Sequence, residues 1–254
     1  MNPSLKQAFE KAAEANYWSD ADSLSGPGSN MEQTRVIRKA IPELLEKYSV
    51  KTMLDAPCGD LYWMKTILPL LMQKGIQYHG ADIVSPLIEK HRVSLEASKA
   101  VFHVIDLTKG PIPTVDLVFT RDCFIHLSYY NIYLILRNYK LSGARYLLTN
   151  TYTNASRKNV NVDGFFLYGR FLNMQKFPFY FSRPLDFIVE GCTENDGVNA
   201  DKALGLWELK KINLVKMKLF ILIAMVPYNI GKMYESSTRF LTRLKNFIKR
   251  KFSI

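Results

Sequence analysis

The feature that most constrains this chain is a regular alternation of short apolar segments with segments of helical periodicity. The apolar segments have the length of buried strands and cover residues 50–54, 76–81, 101–105, 115–120 and 145–149. Helical periodicity covers residues 61–72, 86–99 and 129–139. Strands that alternate with helices are typical of parallel βαβ units, so we predict an α/β protein with a doubly wound, mostly parallel sheet and helices on both faces.

The flanking segments complete the predicted architecture. Residues 184–189 and 204–212 are predicted to form two late strands, an antiparallel hairpin across a Gly191–Asp201 loop, which brings the sheet to about seven strands. We divide the chain into N-terminal helices with a loop (1–48), the α/β body (49–212) and a basic tail (213–254). Asn30, three residues before Gln33, is the predicted N-cap of the helix that precedes the first strand.

Acidic residues follow four of the predicted strands. Asp55 and Asp60 flank the turn after the first strand, and Asp82, Asp106 and Asp122 follow the next three. Parallel sheets bind ligands at the carboxyl ends of their strands. Carboxylates there would repel a pyrophosphate, and the chain has neither a Gly-x-Gly-x-x-Gly nor a Gly-Lys-Ser/Thr loop. A ligand with a cationic centre and a ribose diol fits this pattern better.

The segment Asp-Ala-Pro-Cys-Gly-Asp, residues 55–60, resembles the first motif of class I S-adenosylmethionine (SAM)-dependent methyltransferases, an apolar strand followed by Asp/Glu-x-Gly-x-Gly. It is similar in particular to a bacterial branch of that family. The resemblance implies a Rossmann-like fold and SAM as the cofactor. The cofactor-binding residues that it implies are Asp55, Ala56, Pro57, Cys58, Gly59, Asp60, Asp82, Ile83, Asp106, Leu107 and Arg121.

The resemblance also assigns roles along the chain. It places residues 55–60 under the methionine part of the cofactor, Asp82 at the ribose and Asp106 at the adenine. The other interpretation is that Asp82 is the N-cap of the next helix and Asp106 a turn residue. Pro57 and Leu61 stand where the family usually has glycines, and Pro57 removes a backbone donor from the turn.

Asp122 and His126 are the candidate catalytic residues. They resemble the family's fourth motif, and a spacing of four would bring them together on one helical turn. A histidine oriented by a carboxylate can act as a general base for a hydroxyl or amine acceptor. The alternative is that His126 packs under the sheet edge and Asp122 caps the turn. The histidines and cysteines show no metal-binding spacing, so no metal site is predicted.

These features predict an enzyme that moves a methyl group to an oxygen or nitrogen of a small molecule, a glycan or a lipid-linked sugar. The alternative is a catalytically inactive Rossmann-like module that docks to a membrane surface or a protein partner. Trp18 and the Ser25–Ser29 loop are predicted either to close over the cofactor as a lid or to serve as a linker.

The net charge of +11 is concentrated at one end of the chain. Nine lysines and arginines and a single glutamate lie between residue 213 and the end, so the body is nearly neutral. Apolar residues recur at helical spacing over 238–252, and a basic amphipathic helix of this kind suits an anionic membrane surface. We therefore predict contact with an anionic membrane through residues 213–254, with the apolar run 219–226 dipping into the interface. Packing on the body is the alternative. Nucleic acid is disfavoured because the body carries no basic stripe.

The same sequence predicts a cytoplasmic protein with peripheral attachment to a membrane. The N-terminus has no apolar run typical of a signal peptide. The longest apolar run, 219–226, falls well short of the ~20 residues that a membrane-spanning helix needs.

Overall fold

The computed structural model describes residues 4–165 and 167–225. Within them seven strands form one sheet: β1 (Thr52–Asp55), β2 (Gln77–Asp82), β3 (Val101–Val104), β4 (Leu117–Thr120), β5 (Tyr146–Tyr152), β6 (Asp186–Val189) and β7 (Lys202–Glu208). Their order across the sheet is β3-β2-β1-β4-β5-β7-β6. The first five strands are parallel to their neighbours, and β7 runs antiparallel to β5 and β6.

This strand order creates a topological switch point between β1 and β4. From β1 the chain moves outward through β2 to β3, then returns to place β4 on the other side of β1. The connections therefore leave the two neighbouring strands in opposite directions, which opens a crevice at their carboxyl ends. The predicted doubly wound, Rossmann-like sheet is confirmed.

Six α-helices lie within the described residues: α1 (Leu5–Glu14), α2 (Arg35–Lys47), α3 (Met64–Gln73), α4 (Ser85–Ser94), α5 (Tyr129–Leu141) and α6 (214–225). One core cluster contains side chains of α2, α3 and α4, and the other contains side chains of α5 and α6. Both faces of the sheet are therefore covered, as predicted.

Several predicted helix boundaries are wrong. The α3 helix begins at Met64 rather than at residue 61, because Leu61 has φ 58°, which is incompatible with a right-handed helix. The α4 helix ends at Ser94 rather than at Lys99, which has φ 56° and follows a separate 3-10 turn. Asn30 does accept a hydrogen bond from the Gln33 amide at 3.0 Å, but the regular helix starts only at Arg35.

The predicted terminal hairpin is confirmed, but its second strand begins and ends earlier in the sequence than predicted. The strand β7 spans Lys202–Glu208 instead of 204–212, and a 3-10 turn at Leu209–Lys211 follows it. Six of its seven residues are buried because β7 lies between β5 and β6 rather than at the edge.

Both ends of the described chain pack on the body. Ala8 and Ala12 of α1 are buried, and so are Met217 and Ile221 of α6. The start of the predicted tail, residues 213–225, is thus integrated into the body, while the predicted amphipathic helix at 238–252 lies outside the described residues. No helix in the described part of the chain is long and apolar enough to cross a membrane.

Candidate functional site

The site is built on the turn between β1 and α3, at the switch point. The Ala56 amide donates to a carbonyl of β4 and the Cys58 amide to a carbonyl of β2, each at 2.9 Å. Gly59 has φ 55°, in the region that favours glycine. The turn is thereby held between two strands. Pro57, Cys58 and Gly59 line a cleft above it, whereas Ala56 is fully buried beneath and outside its lining.

Asp55, the last residue of β1, is a buried carboxylate in the floor of the cleft. It accepts a hydrogen bond from the Tyr78 hydroxyl at 2.7 Å. Burial raises the pKa of Asp55 to about 7, opposed by that hydrogen bond and reinforced by the charge of Asp82. A cationic group in the cleft would favour the charged form of Asp55.

Asp82 lies at the carboxyl end of β2 and is held by backbone amides. Its two oxygens accept hydrogen bonds from Gly59 at 3.0 Å and from Val84 at 2.9 Å. Burial raises the pKa of Asp82, and these amide bonds oppose the shift. The N-cap of α4 is Val84, and no side chain caps the helix, so the N-cap interpretation of Asp82 is wrong. Asp82 instead holds the turns around Gly59 and Val84, and it lines the cleft beside Ile83.

Asp106 follows β3 and closes the same end of the cleft together with Leu107. One oxygen accepts hydrogen bonds from the Thr108 amide and hydroxyl, and the other lies 3.0 Å from Lys109 Nζ. Burial raises the pKa of Asp106, but the Thr108 and Lys109 contacts outweigh it and lower the pKa overall. Asp106 is therefore a turn residue, as the second interpretation had it, and it also lines the cleft.

The other end of the cleft rests on a buried ionic cluster of four side chains: Arg121, Asp122, Glu190 and Lys202. Asp122 Oδ2 lies 2.8 Å from Lys202 Nζ and 3.1 Å from Arg121 Nη1. Arg121 Nη2 lies 2.7 Å from Glu190 Oε2. Arg121 was predicted to bind the cofactor; it lines the cleft, and its guanidinium pairs with protein carboxylates.

The ionic cluster determines the charge of Asp122. Burial raises the pKa of Asp122, but Arg121 and Lys202 outweigh it and lower the pKa to about 2. Its Oδ1 atom is buried and has no hydrogen-bond partner among the described residues. Asp122 is consequently a permanent anion that can accept a hydrogen bond and is a poor acceptor of a proton.

His126 lies near Asp122, but the predicted α-helical turn between them is not formed. Asp122 has φ 52°, and a 3-10 turn covers Phe124–His126. The His126 ring contacts two aromatic rings, with centroid distances of 6.4 Å to Phe9 and 5.8 Å to Trp18. A positive charge on His126 would still lower the pKa of Asp122, so the two are electrostatic neighbours.

Asp60 anchors the segment that covers the turn, which we call the strap (residues 18–29). Its carboxylate accepts hydrogen bonds from the Leu24 amide at 2.8 Å and the Ser23 hydroxyl at 3.1 Å. The Trp18 ring nitrogen donates to a backbone carbonyl of residue 167 at 2.8 Å. Arg121 donates to the Gly28 carbonyl at 2.8 Å. The strap is thus fastened at three places around the cleft, in the position expected of a lid.

Several functional neighbours were missed by sequence reasoning. Leu5 and Phe9 of α1 line the cleft, and Glu190 and Lys202 complete the ionic cluster. One signal was available: Lys202 opens a strongly apolar strand, and a lysine buried in a sheet requires a carboxylate partner.

The cysteines and the other histidines form no comparable site. Burial raises the pKa of Cys58 well above its usual range, so it remains a thiol. His79 Nδ1 and His103 Nε2, on adjacent strands, are 3.0 Å apart. Among residues 4–165 and 167–225, no three His, Cys, Asp or Glu side chains gather in a metal-binding arrangement.

Several solved structures are similar to this chain. The pyocyanin biosynthetic protein PhzM is 12% identical with a TM-score of 0.51, and the match covers 70% of this chain and 56% of that one. The methyltransferase domain of bacterial CtHen1-C is 14% identical (TM-score 0.49; 70% of this chain, 98% of that one). The magnesium protoporphyrin IX methyltransferase ChlM from Synechocystis PCC 6803, solved with bound SAM, is 15% identical (TM-score 0.46; 63% and 82%).

At these identities the similarity concerns the fold. The chain has a Rossmann-like fold with a seven-stranded, mostly parallel sheet, and it shares this fold with PhzM. No protein-family model and no curated protein sequence matches the chain.

Proposed function

We propose that this protein is a SAM-dependent methyltransferase that acts on an oxygen or nitrogen of a small molecule, a glycan or a lipid-linked sugar. The observation that carries the proposal is one cleft at the switch point, lined at one end by Asp82 and Asp106 and at the other by Asp122 and His126. When bound, the cofactor supplies an electrophilic methyl group on a positively charged sulfur.

The cofactor end of the cleft has the donors and acceptors that this ligand requires. The Asp82 carboxylate lines the cleft and can accept the hydroxyls of a ribose beside its hydrogen bonds from the Gly59 and Val84 amides. Ile83 and Leu107 provide apolar walls for an adenine. Asp55 offers a carboxylate whose charged form a nearby cation would stabilise.

The other end of the cleft supports methyl transfer by orientation. The unpartnered Oδ1 of Asp122 can accept a hydrogen bond from the hydroxyl or amine that attacks the methyl carbon. Its low pKa makes Asp122 a positioning group, which leaves His126 as the residue able to take the proton. Phe9 and Trp18 limit the access of water to this end, and alignment in a dry cleft supplies much of the catalysis.

Calorimetry of the intact chain with S-adenosylhomocysteine tests the cofactor assignment. We expect saturable binding that Asp82→Ala abolishes while circular dichroism remains unchanged. Glu96→Ala, which removes an exposed carboxylate outside the cleft, should bind like the parent chain. Absence of binding by the parent, or equal binding by Asp82→Ala, would refute the assignment.

Methyl transfer from labelled SAM to a cell extract tests the reaction itself. We expect label in the extract with the parent chain and a strong reduction with His126→Ala at unchanged S-adenosylhomocysteine affinity. Cofactor binding without any transfer would instead favour the inactive binding module.

A further inference from the structure

The described chain ends in α6, a helix that is buried on one side and apolar on the other. Met217 and Ile221 pack into the core. Four apolar side chains on the opposite side are 51–84% exposed, and we call them the apolar stripe: Val215, Leu219, Leu222 and Ile223. At ~100° per residue the four fall within an arc of about 100° of the helix surface. Contiguous exposed apolar surfaces often mark interaction sites, so the apolar stripe is the surface to explain on α6.

Lysines and aromatic rings border the apolar stripe. Lys216 and Lys218 are exposed and flank it on the helix surface. Lys216 Nζ lies 5.7 Å from the ring centroid of Tyr180 and 5.5 Å from that of Phe220, while Lys218 Nζ lies 5.9 Å from that of Tyr133. Apolar side chains beside lysines and aromatic rings suit the boundary between lipid headgroups and acyl chains.

The charge of α6 and of the residues after it indicates what kind of surface the apolar stripe binds. Residues 214–225 contain two lysines and no acidic residue, and residues 226–254 add seven lysines and arginines against one glutamate. A second copy of the chain would bring like charges together, whereas an anionic bilayer complements them.

We propose that α6 docks the protein on an anionic lipid bilayer, with the apolar stripe inserted at the headgroup boundary. The stripe is fixed to the body of the protein because Met217 and Ile221 anchor the helix in the core. Docking through α6 would therefore fix the orientation of the whole body, and with it the cleft, relative to the membrane. This inference is independent of the proposed methyl transfer.

Co-sedimentation of the full chain with vesicles tests the proposal. We expect binding to phosphatidylcholine vesicles that contain phosphatidylglycerol, weakened by high salt, and little binding to phosphatidylcholine alone. The double variant Leu219→Glu/Ile223→Glu should lower the partition coefficient by more than about tenfold. The control Val93→Glu replaces a side chain that is 79% exposed on α4, across the sheet, and should bind like the parent.

Three results would overturn the proposal. The first is equal sedimentation of the parent chain and the double variant. The second is a vesicle-independent dimer that the double variant abolishes, which would assign the stripe to a second copy. The third is a polarity-sensitive fluorophore at Leu219→Cys that is already shielded without vesicles, which would assign the stripe to the chain's own tail.

Discussion

Replacement of Asp55 by asparagine is expected to stabilise the protein at neutral and alkaline pH. The folded carboxyl has a pKa of about 7, against an ordinary value of 3.8, chiefly because it is buried. Between these values the folded state keeps a proton that the unfolded state releases, so this group's contribution to stability falls as pH rises. Asparagine can accept the same hydrogen bond from Tyr78 and has no charge to desolvate.

The magnitude follows from the difference between the two pKa values. A difference of about 3 units at about 1.4 kcal/mol per unit corresponds to about 4 kcal/mol of destabilisation once the folded carboxyl is ionised. The advantage of Asp55→Asn should therefore grow from about 2 kcal/mol at about pH 5 to about 4 kcal/mol at about pH 8. The contributions of other titrating groups to the free energy of unfolding cancel in this comparison because the parent and the variant share those groups.

Urea unfolding followed by circular dichroism, at a series of pH values, measures this difference. Glu96→Gln, the same chemical change at an exposed position, should follow the parent chain across the range. If the stability curves of Asp55→Asn and the parent run parallel, the carboxyl is not held in its neutral form by burial, and the argument fails.

Three further changes probe the strap and the ionic cluster. Gly59→Ala should destabilise by about 1 kcal/mol more than Gly75→Ala in urea unfolding, because both have positive φ but only at Gly59 would the new Cβ lie 2.2 Å from Ser25 Oγ. Lys202→Met should cost about 3 kcal/mol or more by leaving buried carboxylates unpaired, and equal stability would contradict that role. Trp18→Phe keeps a ring but loses the hydrogen bond at 2.8 Å, so faster proteolysis within the strap is expected, whereas an unchanged rate would show that this bond does not fasten it.

The elements of the sheet were largely predictable from sequence, whereas helix boundaries were not. A parallel strand buried on both faces requires a continuous apolar run, and residues 117–120 of β4 are all buried. The starts and ends of helices depend on single backbone conformations. The left-handed φ values of Leu61 and Lys99 have no clear signal in the side chains of those residues.

The sequence also predicted much of the candidate site, but it did not predict most of the side chains that pair with the site residues. Position after a strand was enough to select Asp55 and Asp82, because carboxyl ends of parallel strands share one edge. Lys202 is 80 residues from Asp122, and Glu190 is 69 residues from Arg121. Such pairs depend on the placement of β7 between β5 and β6, which local periodicity does not specify.

By itself the sequence determined that several carboxylates line the ligand edge of a doubly wound sheet, because apolar periodicity places the strand ends. Only the tertiary structure decided what each carboxylate does. Asp55 and Asp122 are both strand-end acids, yet the pKa of Asp55 is raised to about 7 and that of Asp122 is lowered to about 2. Burial acts on both, but Asp55 faces a neutral tyrosine while Asp122 faces two cations, and only folding brings those partners together.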